Sequence, residues 1–166
     1  TGRSREIHQN QFAINNRMIE TIAYKGRTLA VLLHTEYKEE GIRFFTPDHF
    51  SQQLGYMNRP GGYIIPPHVH NPVCREVQYT KEVLFVKSGR VRIDFYDEDQ
   101  TYLESRVLKT GDVILLAYGG HGFEMLEPTE MIEVKQGPYA GDQDKTRFDG
   151  ISADQAIIKA EGSDES

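Results

Sequence analysis

The chain has 166 residues and a formal net charge of -6, with charged side chains at 27% and hydrophobic ones at 38%. That length and composition fit one soluble domain able to bury a core without disulfides, and the acidic balance excludes a general nucleic-acid or anionic-membrane surface. The single cysteine, Cys74, excludes an internal disulfide, and no apolar run is long enough for a signal peptide or a membrane-spanning helix, so a reducing cytoplasm is the expected compartment.

In chain order, the predicted elements are nearly all strands. MIETIAYKGRTLAVLLH (18–34) holds two β-rich runs around Lys25-Gly26 and predicts a hairpin. IRFFT, QLGYMN, GYIIPPHVH, EVLFV, RVRIDFYDED, TYLESRVL, DVILLA, GFEML and MIEVKQ follow, each bounded by Gly, Pro or a charged turn, as in an all-β sandwich or barrel. In RVRIDFY, Val91, Ile93 and Phe95 alternate with Arg92, Asp94 and Tyr96, the pattern of a half-buried antiparallel strand. Short helices are expected only around 11–17 and over SADQAIIKA (152–160), the latter from a Ser N-cap. Residues 1–50 are expected to supply strands that pack on a barrel or in a dimer contact, 51–140 the barrel, and 141–166 a C-terminal extension. Exposed strand edges in so small a β-protein need covering, and pairing of the N-terminal hairpin with a second copy predicts a homodimer.

GYIIPPHVH places His68 and His70 one residue apart. On a strand, residues two apart share a face, so the two imidazoles would present a chelating pair. His8, His34 and His49 have no such partner spacing, and Cys74 lacks the basic neighbours of a reactive thiol.

Five residues separate Gly62 from His68, six separate Glu82 from Gly89, and Gly111 opens the strand DVILL that leads through Ala117-Tyr118-Gly119-Gly120 to His121. In order and spacing this resembles the cupin superfamily, with its motifs G-x5-H-x-H-x3,4-E-x6-G and G-x5-P-x-G-x2-H-x3-N. The resemblance runs over about 53–136. It implies a single-domain small β-barrel or jelly roll of antiparallel strands, holding a divalent transition metal (Zn, Fe, Mn or Ni) on His68, His70, Glu82 and His121. Eleven residues lie between His70 and Glu82, where the family has three or four; Ala117 replaces the motif proline, and His121 arrives one residue early. Glu76, in the long connection, competes with Glu82 for the acidic place, and the strand and the spacing to Gly89 favour Glu82.

MIEVKQGPYAGDQDKTRF (131–148) is similar to the end of the cupin domain of type II phosphomannose isomerases, matching at Ile132, Glu133, Val134, Gly137, Tyr139, Gly141, Asp144, Arg147 and Phe148. That likeness implies sugar or sugar-phosphate chemistry. A metal on a His/Glu set would polarise a substrate carbonyl while a base removes the adjacent proton. The bases expected for this step are Glu76, Tyr79 and Glu133, and the anion-binding groups Arg59, Arg75, Arg92, Lys135 and Arg147, with spacing choosing among none of them. Three classes are open. They are an isomerase or epimerase of a sugar, sugar phosphate or nucleotide sugar in carbohydrate or surface-polysaccharide metabolism, an iron-dependent dioxygenase, and a non-catalytic small-molecule binding protein.

Overall fold

A computed structural model describes residues 17–160. Ten strands are described: β1 (Ile19–Tyr24), β2 (Arg27–Leu33), β3 (Gly41–Phe44), β4 (Gly55–Asn58), β5 (Glu82–Ser88), β6 (Arg90–Tyr96), β7 (Tyr102–Lys109), β8 (Val113–Leu116), β9 (Gly120–Met125) and β10 (Glu130–Lys135). The fold is all-β, and every paired strand runs antiparallel to its neighbour. No helix among the described residues is long and apolar enough to cross a membrane.

The β1–β2 connection follows from its turn chemistry. Lys25 and Gly26 both take positive φ (48° and 75°), the backbone of the two-residue turn whose twist matches its flanking strands. β2 then pairs with β8, giving a five-stranded sheet in the order β1-β2-β8-β5-β10. Strands from before residue 50 are thus integral to the same sheet as strands after it. A three-stranded sheet, β7-β6-β9, faces it, and β3-β4 forms a separate ribbon; no ladder closes the sheets into one barrel among the described residues.

Period-two alternation decides what fills the space between the sheets. Leu84 and Val86 of β5, Ile114 and Leu116 of β8, and Ala30 and Leu32 of β2 meet Val91, Ile93 and Phe95 of β6 and Leu108 of β7 in one buried cluster. The outer face of the larger sheet has a second, smaller cluster in which Phe45, Phe50 and Leu54, in or beside the β3–β4 connection, cover Val31 and Leu115.

Three expectations change. The strand over GYIIPPHVH does not form: from the end of β4 to Tyr79 the chain runs as an exposed arm without strand or helix. Pro66 and Pro67 donate no N–H, so this stretch cannot supply a regular ladder. The polar side of β6 is not open to solvent, because Arg92, Asp94 and Tyr96 are all buried. The C-terminal segment covers that side: Ser105 N–H donates to Ile157 O (2.8 Å) and Lys159 N–H to Ser105 O (3.1 Å), while Ile151 N–H donates to Tyr96 Oη (3.0 Å). The helix over 152–160 shrinks for the same reason to a 3-10 turn at Ala153–Gln155, since the residues beyond it bond to β7. The helix expected around 11–17 falls almost wholly outside the described residues.

A buried polar network ties the N-terminal hairpin to the β7–β8 turn. Asp112 accepts from the backbone N–H groups of Thr35 and Lys109, each at 2.9 Å, and Asp112 Oδ1 lies 3.7 Å from His34 Nδ1. His34 Nε2 is 2.7 Å from Glu20 Oε1, and Glu20 Oε2 accepts from Arg106 Nε, also at 2.7 Å. Gly111, at φ 92°, makes the turn possible: a side chain there would drive into Thr35. Burial pushes the Asp112 and Glu20 carboxyls up, but their hydrogen bonds outweigh it and hold both below their ordinary values. A depressed folded-state value stabilises the fold at pH above the unfolded-state value, and that contribution fades as pH falls through the folded-state value. Urea midpoints should therefore drop steeply below about pH 4. Asp112→Ala, which removes the buried acceptor of two partly buried N–H donors, should cost roughly 2 kcal/mol at neutral pH, read from the same urea curves.

Candidate functional site

β5 begins with a carboxylate on the wrong side for solvent. Glu82, Leu84 and Val86 share one face, and Leu84 and Val86 are core residues, so the pleat turns Glu82 inward at the end of the sandwich. Across the gap, His121 of β9 pairs with Phe95 of β6. Cross-strand partners point to the same side, and Phe95 is in the core. The two strands thus deliver Glu82 and His121 to the same space, and His121 Nε2 lies 3.1 Å from Glu82 Oε2.

Glu82 is half-buried. The hydrogen bond from His121 is the largest influence on it and overcomes the penalty of burial, so the carboxyl titrates below its ordinary value and is ionised at neutral pH. An ionised Glu82 accepts from Nε2–H, which fixes the imidazole and leaves Nδ1 as its proton acceptor.

Around this pair opens a pocket of about 600 Å³, lined also by Tyr79, Leu116, Glu133, Asp144, Arg147 and Phe148. β10 supplies Glu133, which pairs with Leu84 and so shares the inner face. Lys135 pairs with Glu82 across the same ladder, and its Nζ lies 3.6 Å from Asp144 Oδ2. Thr80 Oγ1 also donates to Asp144. The segment 144–148 is thereby held against the mouth, and the Phe148 ring meets Tyr96 edge-on at 5.0 Å between centres. The Ala117–Gly120 turn depends on glycine: Gly119 has φ 75°, and a side chain there would collide with the Tyr96 carbonyl.

The other residues singled out in the sequence lie elsewhere. His68 and His70 are on the exposed arm, their rings 5.3 Å apart, and His68 Nδ1 lies 3.0 Å from its local carbonyl, Pro66 O. Arg59 stacks over Tyr63 at 4.6 Å, and Arg75 is exposed on the same arm. Glu76 sits where the arm returns, accepting from Gln78 Nε2 at 3.1 Å. Arg92 is a correction: it lies on the face of β6 opposite Phe95, buried, in a two-point pair with Asp94 (2.8 and 3.0 Å) and at 2.6 Å from Glu124. It cannot reach a ligand beside His121.

The implied metal set does not assemble. Among the described residues no group of three or more His, Cys, Asp or Glu side chains is placed to hold a metal ion. Glu82 and His121 offer two donors already bonded to one another, and the two arm histidines are not among their neighbours. Lys81, Tyr118 and Arg27 line an adjoining pocket and carried no sequence signal, being single residues outside any recurring spacing.

With this geometry, the double variant His68→Ala, His70→Ala should keep whatever metal content the parent chain has, measured by plasma mass spectrometry. Loss of a stoichiometric ion in the double variant would instead require the arm to fold into the mouth. Comparison of the chain with protein-family models, with curated proteins and with solved structures finds no match.

Proposed function

We propose that the chain is a cupin-type sandwich that isomerises or epimerises a sugar or sugar derivative at the mouth pocket, with His121 as the proton-moving group and Glu82 as its positioning partner. The observation that carries this reading is the His121–Glu82 hydrogen bond of 3.1 Å inside a pocket of about 600 Å³ that also holds Glu133 and Tyr79. A base oriented by a carboxylate is the arrangement that proton abstraction next to a carbonyl requires.

The step balances on side chains and, for the epimer, water. His121 Nδ1 takes the proton from the carbon next to the substrate carbonyl, the electron pair forms the carbon–carbon double bond, and the carbonyl oxygen takes a proton from Tyr79, giving an enediol. For the isomer, the His121 imidazolium returns its proton to the former carbonyl carbon while the other enediol hydroxyl gives its proton to the Tyr79 phenolate. For the epimer, water delivers a proton to the opposite face of the original carbon, the enediol oxygen returns its proton to Tyr79, and the imidazolium proton restores the water. Arg147 and Lys145, which line the same pocket, supply positive charge for the carbonyl oxygen as it gains electron density or for a phosphate.

Incubation with sugar phosphates and nucleotide sugars in heavy water, followed by proton NMR, tests the reading. Deuterium should appear at the carbon next to the carbonyl, and His121→Gln should slow that exchange by about 10²–10⁴-fold. Glu82→Gln should slow it less and shift the pH profile. Exchange that survives His121→Gln would sink the assignment, and a chain that binds sugars without any exchange would be a binding protein.

A homodimer belongs to the same proposal. Ile64 and Val69 on the arm are 79% and 87% exposed, and Tyr63, Ile65, Val73 and Val77 join them. Phe85, Ile132 and Val134 form an exposed apolar patch on the outer face of β5 and β10, at an open sheet edge. Both the apolar arm and the uncovered patch are carried by one chain, which suits a two-fold exchange between copies. Light scattering behind a sizing column should give twice the chain mass at micromolar concentration; Ile64→Asp, Val69→Asp should give the monomer.

A further inference from the structure

A second pocket, of about 550 Å³, adjoins the mouth and shares with it Tyr79, Ala117 and Tyr118. Each of the two falls in the ~300–1,000 Å³ range that receives a drug-sized molecule, so a monosaccharide beside His121 would leave most of the joined space unfilled. The added pocket therefore has to be explained by something attached to the sugar, and its walls describe what that is.

Its walls are aromatic and cationic. Tyr79 and Tyr118 meet edge to face with their centres 5.3 Å apart, and Phe50 also lines the pocket. The guanidinium carbon of Arg27 lies over Tyr118, 3.3 Å from the ring centre, while its ion pair with Glu98 is long, at 3.8 Å, and exposed. Lys81 is half-buried, with Nζ donating to Ser51 Oγ at 3.1 Å and lying 5.4 Å from the Phe50 ring centre. No carboxylate lies within ion-pair distance of Lys81 among the described residues. Glu76, the carboxylate of the lining, is bonded to Gln78. An ammonium partly withdrawn from water without a counter-ion favours an anionic ligand. Aromatic faces that accept a flat ring favour a nucleobase without reading its sequence of donors and acceptors.

We infer that this pocket is a nucleoside-diphosphate subsite. Lys81 and Arg27 hold the diphosphate, Phe50, Tyr79 and Tyr118 hold the base, and the attached hexose passes the shared Tyr79–Tyr118 wall to reach His121 and Glu82. The inference rests on the proposed sugar chemistry at the mouth and narrows its substrate class to nucleotide sugars that carry a keto group on the sugar ring, since the anomeric carbon bound to the diphosphate has no carbonyl of its own.

Calorimetric titration of the full chain with UDP, dTDP and GDP, and with inorganic pyrophosphate as the ring-free probe, tests it. At least one nucleoside diphosphate should bind tenfold or more tightly than pyrophosphate. Lys81→Ala should weaken that binding about tenfold and Lys81→Arg restore most of it, while Tyr118→Leu should weaken it by roughly five- to a hundredfold, with melting temperatures reported alongside. Equal affinity for pyrophosphate and the nucleotides, no binding of any probe, or full affinity in a folded Lys81→Ala chain would each overturn the subsite. His121→Gln separates the two readings. It should leave nucleotide affinity intact while slowing deuterium exchange by about 10²–10⁴-fold. Exchange on a free sugar phosphate without nucleotide binding would remove the subsite and leave the mouth chemistry standing.

Discussion

The register of β5 is the constraint on which the rest depends. This strand is paired on both sides, with Glu82 opposite Leu116 of β8 and opposite Lys135 of β10. A slip of one residue would turn Leu84 and Val86 out of the core and bring Phe85 and Lys87 into it. The hydrophobic cost of that exchange, about 1.5–3 kcal/mol for each large apolar side chain moved, far exceeds anything gained or lost at Glu82 itself. The carboxylate is therefore carried inward by the residues that follow it. Once it is there, a partner is required, since a half-buried carboxylate left unpaired is costly. His121 meets that requirement, and a requirement of packing becomes a positioned carboxylate–imidazole pair.

The same register sets the two sides of β10. Glu133 and Lys135 face inward toward the mouth, and Ile132 and Val134 face out beside Phe85. One short strand thus contributes both to the pocket and to the uncovered apolar face. The arm between β4 and β5 is the counterpart of that face. Apart from a turn at Pro60–Tyr63, it makes no backbone–backbone hydrogen bond within 64–80 among the described residues, and it exposes Ile64, Ile65, Val69, Val73 and Val77. Extended chain with unmet donors, acceptors and apolar side chains has a strong drive to pair. Pro66, Pro67 and Pro72 limit how it pairs, because each removes a donor from one edge.

Much of the fold is legible in the sequence where local chemistry and alternation agree. Lys25-Gly26 can take the positive φ values that its turn demands, and the inward set Val91, Ile93 and Phe95 reads directly from RVRIDFY. The outward set of the same strand does not, because Arg92, Asp94 and Tyr96 are buried by a segment some fifty residues further on. Even so, opposite charges at i and i+2 share a face of a strand, and that spacing is a sign that Arg92 would be spent on Asp94. The failure at 152–160 is of another kind: the Ser152 cap forms as a capping box, but ladder bonds to Ser105 outweigh helix propensity after a single turn. At the site, Glu82 and His121 are legible through motif spacing, whereas Lys81, Arg27 and Tyr118 become neighbours only through the sheet order β2-β8-β5.

That sheet order also explains why two pockets share a wall. The chain leaves β8 at Leu116, and Ala117 and Tyr118 N–H groups both donate to Leu29 O of β2, at 2.7 and 3.2 Å. This anchors Tyr118 between the two strands, with β2 presenting Arg27 on one side and β9 beginning at Gly120 on the other. Tyr79, arriving at the end of the arm just before β5, closes against it. The phenol of Tyr118 donates to Glu98 and is held above its ordinary titration range by that bond, so it stays neutral and its ring face stays available to the Arg27 guanidinium. A tyrosine fixed by backbone bonds on one side and a cation on the other is a rigid divider. Such a divider would cost little further ordering on binding, and it sets the distance between Lys81 in one pocket and His121 in the other.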